Sequence, residues 1–262
     1  MKVLKFFFDI NSPYSYIGFE KLARAREKWP VSISLRPIRL PVLFRTLATP
    51  KASVFCPQKL AYQELDLKRV ARYEHVPLKV PPNCTKFIGS ANTLLAQRLI
   101  IVTRALTRRF FNRMWADHIN VFNRHELIRA MFPLELHSSL LSRVHDDDVK
   151  NTFRSYTQEA IDSGACGVPW IIVEEEDGSD RHVFFGSDRF GHIAMTFGWE
   201  PCGAVGEVMS AWGNLLGYIA MVYALLAYCY PLPALVGIVA TVGGIAGLLL
   251  IGGMFLQAHE VS

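Results

Sequence analysis

Val3-Leu4-Lys5-Phe6-Phe7-Phe8 is an apolar run with one polar break, and Ile17 to Trp29 follows with apolar residues at helical spacing. Between them stands Ser12-Pro13-Tyr14-Ser15, so the pattern predicts a strand, a tight turn and a helix. Further on, Lys59 to Glu74 carries Leu60, Leu65, Leu67 and Val70 before Pro77 and Pro81-Pro82 interrupt the chain. Ser90 to Thr107, Arg108 to Val121 and Arg124 to Met131 read as further helices, the last with Asn123 as a candidate cap. Asp148 to Ser163 reads as a helix that ends at Gly164, with Asp146-Asp147-Asp148 opening it, where acidic charge suits the helix dipole. A metal site is the alternative use of that acidic triplet. A β-branched strand starts at Trp170, Asp177-Gly178-Ser179 signals a hairpin, and His182 to Phe185 is the return strand before a helix from Arg189 onward. The plan is strand–helix, a long helical stretch, then strand–strand–helix: an α/β chain.

Residues 208–259 contain no Asp, Glu, Lys or Arg. Two apolar blocks lie within them, about Val208 to Cys229 and Pro233 to Leu256, separated by Tyr230-Pro231-Leu232-Pro233. Each block is long enough to span the roughly 30 Å hydrocarbon layer as a helix. The pattern predicts a two-helix transmembrane hairpin over 207–257, with Gly213-x-x-x-Gly217 and Gly243-x-x-x-Gly247 allowing close helix packing. A buried soluble hairpin, or a segment joined to the rest by gene fusion, would give the same pattern.

The charge balance changes once this tail is set apart. All 28 Lys and Arg lie before residue 208, together with 22 of the 23 acids, so that part carries about +6. The basic residues are interleaved with acids, which argues against a nucleic-acid partner; an anionic ligand or membrane surface suits the excess better. Cys56, Cys84, Cys166, Cys202 and Cys229 show neither C-x-x-C nor metal-ligand spacing, as expected for a reducing, intracellular compartment. No secretory leader and no peroxisomal tripeptide is evident.

Three positions carry candidate chemistry. Ser12 sits where a helix begins, and the free N–H groups and partial positive charge there stabilise an anion. Thioredoxin-like oxidoreductases put C-x-x-C at such a turn to lower a thiol pKa; here both positions are serine, which leaves the thiolate to a ligand. Simple capping by Ser12 with Pro13 at the first helical position is the commoner use of such a motif. Gly167-Val168-Pro169 precedes the second apolar strand, where a proline is either an ordinary trans strand-start residue or cis. Gly186-Ser187-Asp188-Arg189 precedes the last helix; Ser187 or Asp188 could cap it, or Asp188 could receive an ammonium group.

Ordered in this way, Ser-Pro-Tyr-Ser, Gly-Val-Pro and Gly-Ser-Asp-Arg resemble the kappa-class glutathione transferases, with the 2-hydroxychromene-2-carboxylate isomerases and DsbA oxidoreductases as relatives. Phe8-Asp9, Ile17-Gly18-Phe19-Glu20, Leu35-Arg36-Pro37 and Lys68 to Pro77 are similar too, and the resemblance spans about residues 1 to 200. It implies a thioredoxin-like fold with an all-helical insertion: 1–57 and 163–206 for the thioredoxin-like part, 58–162 for the insertion. The C-terminal hydrophobic helical hairpin lies outside it.

The resemblance also implies roles. Ser12 would donate its hydroxyl to the sulfur of glutathione, with Pro13 and Tyr14 completing the thiol pocket. The Val168 backbone would pair with the cysteinyl part, and Ser187 and Asp188 would hold the γ-glutamyl group. Lys59 would lie near the glycine carboxylate. Thr49 stands nearest to the family's asparagine in a loop that is one residue longer, and Tyr16 stands where the family commonly has tryptophan. Phe110, Phe111, Met114 and Trp115 are candidates for the wall of an electrophile pocket, or else core. The expected activity is a glutathione transferase that consumes an electrophile or peroxide, with no metal. A homodimer, tethered to a membrane by the tail, in mitochondria or peroxisomes, is the expectation from the family. A glutathione-dependent isomerase and a non-enzymatic thioredoxin-fold module in a membrane assembly are the alternatives.

Overall fold

The structure, a computed structural model, describes residues 1–49, 56–82, 84–89, 92–119, 121, 124–131, 137–202, 215–219 and 221. Its first strand, β1 (Lys2–Phe8), runs into helix α1 (Pro13–Ala25), and α1 returns to β2 (Val31–Pro37), which lies parallel to β1 with Phe6 opposite Leu35. A parallel return needs a crossover, and α1 supplies it. β3 (Trp170–Glu175) lies antiparallel on the other side of β1, and β4 (His182–Phe185) antiparallel to β3, giving the order β2-β1-β3-β4. The Asp177-Gly178-Ser179 turn closes that hairpin: Gly178 has φ +83°, and Glu175 N–H donates to Ser179 O at 2.9 Å.

β1 and β3 are central strands, and the period-two alternation of their side chains divides the interior. Leu4, Phe6 and Phe8, with Ile171 and Val173, face one core; Phe7, Trp170 and Ile172 face a second, smaller one with Leu43, Ala160 and Val168. The first core includes α1 and α10 (Phe190–Phe197); the second takes α2 (Leu40–Thr46) and α9 (Asp147–Asp162). Between α2 and α9 come α3 (Pro57–Tyr73), α4 (Cys84–Gly89), α5 (Leu94–Val102), a 3₁₀ turn (Arg104–Leu106), α6 (Thr107–Trp115), α7 (Arg124–Met131) and α8 (His137–Arg143). The predicted helix over Ser90 to Thr107 is shorter than expected, and the one over Arg108 to Val121 stops at Trp115; Arg124 to Met131 is helical throughout. The acidic triplet lies at the start of α9, where Asp147 meets Lys150 at 2.9 Å and Arg143 reaches Asp146 and Asp148 at 3.6 and 3.4 Å.

The insertion helices share the first core with the sheet. Phe110, Phe111, Met114 and Trp115 are all fully buried there, so of the two uses open in the sequence, pocket wall or core, they take the second. The Phe111 ring stacks on Tyr16 at 5.4 Å and meets Phe8 at 5.6 Å, while Trp115 donates its indole N–H to Ile10 O at 2.8 Å. An amphipathic stripe at helical spacing marks buried residues, and burial in a close-packed interior is its commonest use.

Residues 1–207 form one unit and 208–262 another. The expected hairpin over 207–257 falls outside the described residues except for 215–219, which are helical, and 221. Among the described residues no helix is long and apolar enough to cross a membrane.

Candidate active site

α1 begins at the carboxyl end of β1, and its first turn is the centre of the site. Ser12 is the N-cap, with extended backbone (φ −99°, ψ 118°) and Pro13 at the first helical position. Its Oγ accepts the Ser15 N–H at 3.2 Å, and the first turn holds no acidic side chain, so the positive end of the helix is not neutralised from within. Asp9 fixes the turn from beneath. This fully buried carboxylate accepts from Asn11 N–H (2.9 Å), Leu40 N–H (3.1 Å) and Thr93 Oγ1 (3.1 Å), tying the turn to α2 and to the entry of α5. Burial pushes the Asp9 pKa up, and the three donors oppose that.

The Val168–Pro169 peptide is cis, one of the two alternatives open in the sequence. The Val168 carbonyl faces Ser12, whose Oγ lies 3.5 Å from it. At that length the contact is at the outer limit of a hydrogen bond, so the hydroxyl proton is available to a better acceptor. Gly18 permits the approach: a Cβ there would stand 3.1 Å from Pro169 Cγ and 3.2 Å from Phe6 Cζ.

A cavity of about 660 Å³ opens beside this turn. Two helical stripes form one side of it. Tyr14 and Lys21 are seven residues apart on α1; Asp66, Val70 and Tyr73 lie along α3, with Glu74 at its end. The stripes are joined by two polar rungs about 10–12 Å apart along the helices. Tyr14 donates its hydroxyl to Asp66 Oδ2 at 2.7 Å, and Lys21 forms a buried ion pair with Glu74. Burial, then the bond to Asp66, pushes the Tyr14 pKa well up, so Tyr14 stays a donor at neutral pH. The other side is Val168, Pro169 and the segment from Phe185 to Asp188, with Pro201 and Cys202 closing one end. Burial pushes the Cys202 thiol up to about 11, which keeps it protonated at neutral pH.

Of the eight residues singled out in the sequence, Tyr14, Val168, Ser187 and Asp188 line this cavity. Ser12 and Pro13 are buried and do not line it; they precede the lining residue Tyr14, and Ser12 Oγ is 3.5 Å from the carbonyl of Val168, which does. Thr49 and Lys59 do not line it. Thr49 closes the end of α2, its N–H on Phe44 O at 3.0 Å, and Lys59 is exposed in the first turn of α3. Ser187 and Asp188 do not cap the last helix, which starts later than expected: Arg189 is the N-cap and makes no side-chain capping bond. Asp188 is 68% exposed, with Arg189 at 3.2 Å. Its Oδ1 occupies the space that a Cβ on Gly186 would fill, at 2.4 Å, and Gly186 has φ +113°, so this turn requires glycine.

Lys21, Asp66 and Glu74 escaped the sequence reading. The i, i+4, i+8 spacing of Asp66, Val70 and Glu74 was the available signal, but their partners are more than fifty residues away in the chain.

The domain profile described as DSBA-like thioredoxin domain matches residues 3–197. The chain belongs to that family. Among named relatives, it is 29% identical over 203 residues to glutathione S-transferase kappa 2 of Caenorhabditis elegans, covering 74% of this chain and 90% of that one. It is 26% identical over 222 residues to glutathione S-transferase kappa 1 of Homo sapiens, covering 80% and 97%. Among solved structures, a 2-hydroxychromene-2-carboxylate isomerase superposes with a TM-score of 0.60 over 84% of this chain and 98% of that one, at 20% identity. The likeness to kappa-class transferases read from the three motifs thus extends over most of the chain, and the solved isomerase shares the fold.

Proposed function

We propose that the chain is a glutathione transferase of kappa type. What supports this most is Ser12: a buried helix N-cap whose hydroxyl proton is only weakly held, beside a cavity and opposite the backbone of Val168. Glutathione enters with its cysteinyl part along Val168 and Pro169 and its sulfur at Ser12, with Pro13 and Tyr14 completing the thiol pocket. The helix terminus and the Ser12 hydroxyl favour the charged form of the sulfur, and the thiolate attacks an electrophilic carbon or a peroxide oxygen. Ser12 donates and is not itself a covalent nucleophile. Ser187 and Asp188 hold the γ-glutamyl end. Lys59 serves the glycine carboxylate and Thr49 takes the place of the family's asparagine, both outside the cavity lining, on a part of glutathione that extends beyond it. Two serines at the turn leave no pair of thiols to cycle as a disulfide, and the protonated Cys202 is a poor substitute.

A conjugation assay on the full chain with glutathione and an aromatic halide tests this. Net loss of glutathione with a thioether product is expected. Turnover of a substrate without net consumption of glutathione would favour the isomerase reading, and absence of glutathione binding would favour a non-enzymatic module.

Asp188→Ala tests the ammonium contact. A charged hydrogen bond contributes about 1.5–3 kcal/mol, but exposure and the neighbouring Arg189 reduce it toward about 1 kcal/mol. Calorimetry should show glutathione binding weakened by roughly five- to ten-fold; equal dissociation constants would remove Asp188 from the site.

The tail reading rests on the sequence alone. With residues 208–256 as a membrane hairpin, the full chain resists alkaline carbonate extraction, and a homodimer is tethered on the glutathione-rich side of a mitochondrial or peroxisomal membrane. Release by carbonate would refute the anchor while leaving the enzyme reading intact.

A further inference from the structure

The polar groups around the cavity are unequal in kind. Asp66, Glu74 and Asp188 supply three carboxylates, and Lys21 is the one cation among the described lining residues. Lys21 is already used by Oε1 of Glu74. Glu74 Oε2 has no hydrogen-bond partner among the described residues, but it is covered by the protein, so Asp66 is the carboxylate that faces a ligand. Two arginines lie near without lining the cavity: Arg24 donates to the Glu74 backbone carbonyl at 2.8 Å, and Arg189 stands beside Asp188. Asp66 receives only the Tyr14 hydroxyl and has no cation partner among the described residues. A carboxylate that receives a single donor has room for another, so a ligand that brings an N–H or O–H to Asp66 gains, and a ligand that brings a second carboxylate is repelled.

Given the glutathione reading above, the ammonium of glutathione takes Asp188. Asp66 then remains for the second substrate, beside the apolar surface of Val70, Tyr73 and Pro201. We propose that this part of the cavity selects a neutral or cationic electrophile, apolar in body and carrying an N–H or O–H donor, and turns carboxylates away. The inference deepens the transferase reading and weighs against an isomerase acting on a chromene carboxylate.

Three unreactive probes of one shape, 3-nitrobenzylamine, 3-nitrobenzyl alcohol and 3-nitrobenzoate, test it by calorimetric binding to the full chain at neutral pH. Titrations are run with and without saturating glutathione, and glutathione binding is measured separately. The amine is expected to bind about ten-fold or more tighter than the benzoate, with the alcohol between them. The formal charge of the whole chain is +5, so net charge alone favours the anion, and loss of the amine preference in Asp66→Asn ties that preference to the cavity. Asp66→Asn, on a partly exposed helix face, should narrow the gap several-fold. A benzoate that binds as tightly as the amine, no binding of any probe, or a gap untouched by Asp66→Asn would each overturn the proposal. If glutathione does not bind but the amine preference holds, the transferase reading fails and the acceptor subsite stands. If glutathione binds and the benzoate is preferred, only the subsite falls.

Discussion

Ser12→Ala is expected to lower the conjugation rate by about ten- to a thousand-fold, the range for removing one donor aimed at charge in a transition state. The fold should tolerate the change. Ser12 Oγ accepts one backbone N–H, from Ser15, and a cap of that kind contributes about 1 kcal/mol. Glutathione affinity should change little, because the Val168 backbone and the Ser187–Asp188 turn are untouched. The loss therefore belongs in kcat, not in KM. Steady-state kinetics on the purified variant, with its unfolding midpoint as a control, would check this; full activity in Ser12→Ala would remove the serine from the mechanism.

Phe111→Ala is expected to destabilise the protein by about 3–5 kcal/mol. The ring is fully buried and touches β1 through Phe8 and α1 through both Tyr16 and Phe19, at 5.4–5.6 Å between ring centres. Little around it can collapse into the space, since its neighbours belong to a strand and a helix fixed by the sheet. Against a total of about 5–15 kcal/mol for a typical domain, this is a large fraction. Urea denaturation followed by tryptophan fluorescence measures it. A change under about 1 kcal/mol would mean that the insertion docks on the sheet without depending on this contact.

Several features of the site were legible in the sequence because each is local. The Ser-Pro start of α1, the Gly178 turn and the proline before β3 are set by backbone rules acting over a few residues. What failed to be legible depends on docking. Helical spacing marks Phe110, Phe111, Met114 and Trp115 as one face of α6, yet it cannot tell whether that face meets a cavity or the underside of a strand. Tyr14 with Asp66, and Lys21 with Glu74, meet because α1 and α3 lie side by side, and nothing within either helix announces the other. Ser187 and Asp188 had good capping chemistry, but the positive φ of Gly186 folds the Asp188 carboxylate back over the turn, and the helix starts later.

This helix terminus is expected to hold a ligand's thiolate. The ionisation of glutathione bound to the full chain, followed by ultraviolet thiolate absorbance across pH, tests it most directly. A free thiol titrates near 8.5. The helix end and the Ser12 hydroxyl should lower the bound value by about one to two units, raising the thiolate present at neutral pH about ten-fold or more, and Ser12→Ala should return part of that shift. Bound glutathione that titrates as it does in free solution, or glutathione that does not bind at all, would contradict the account.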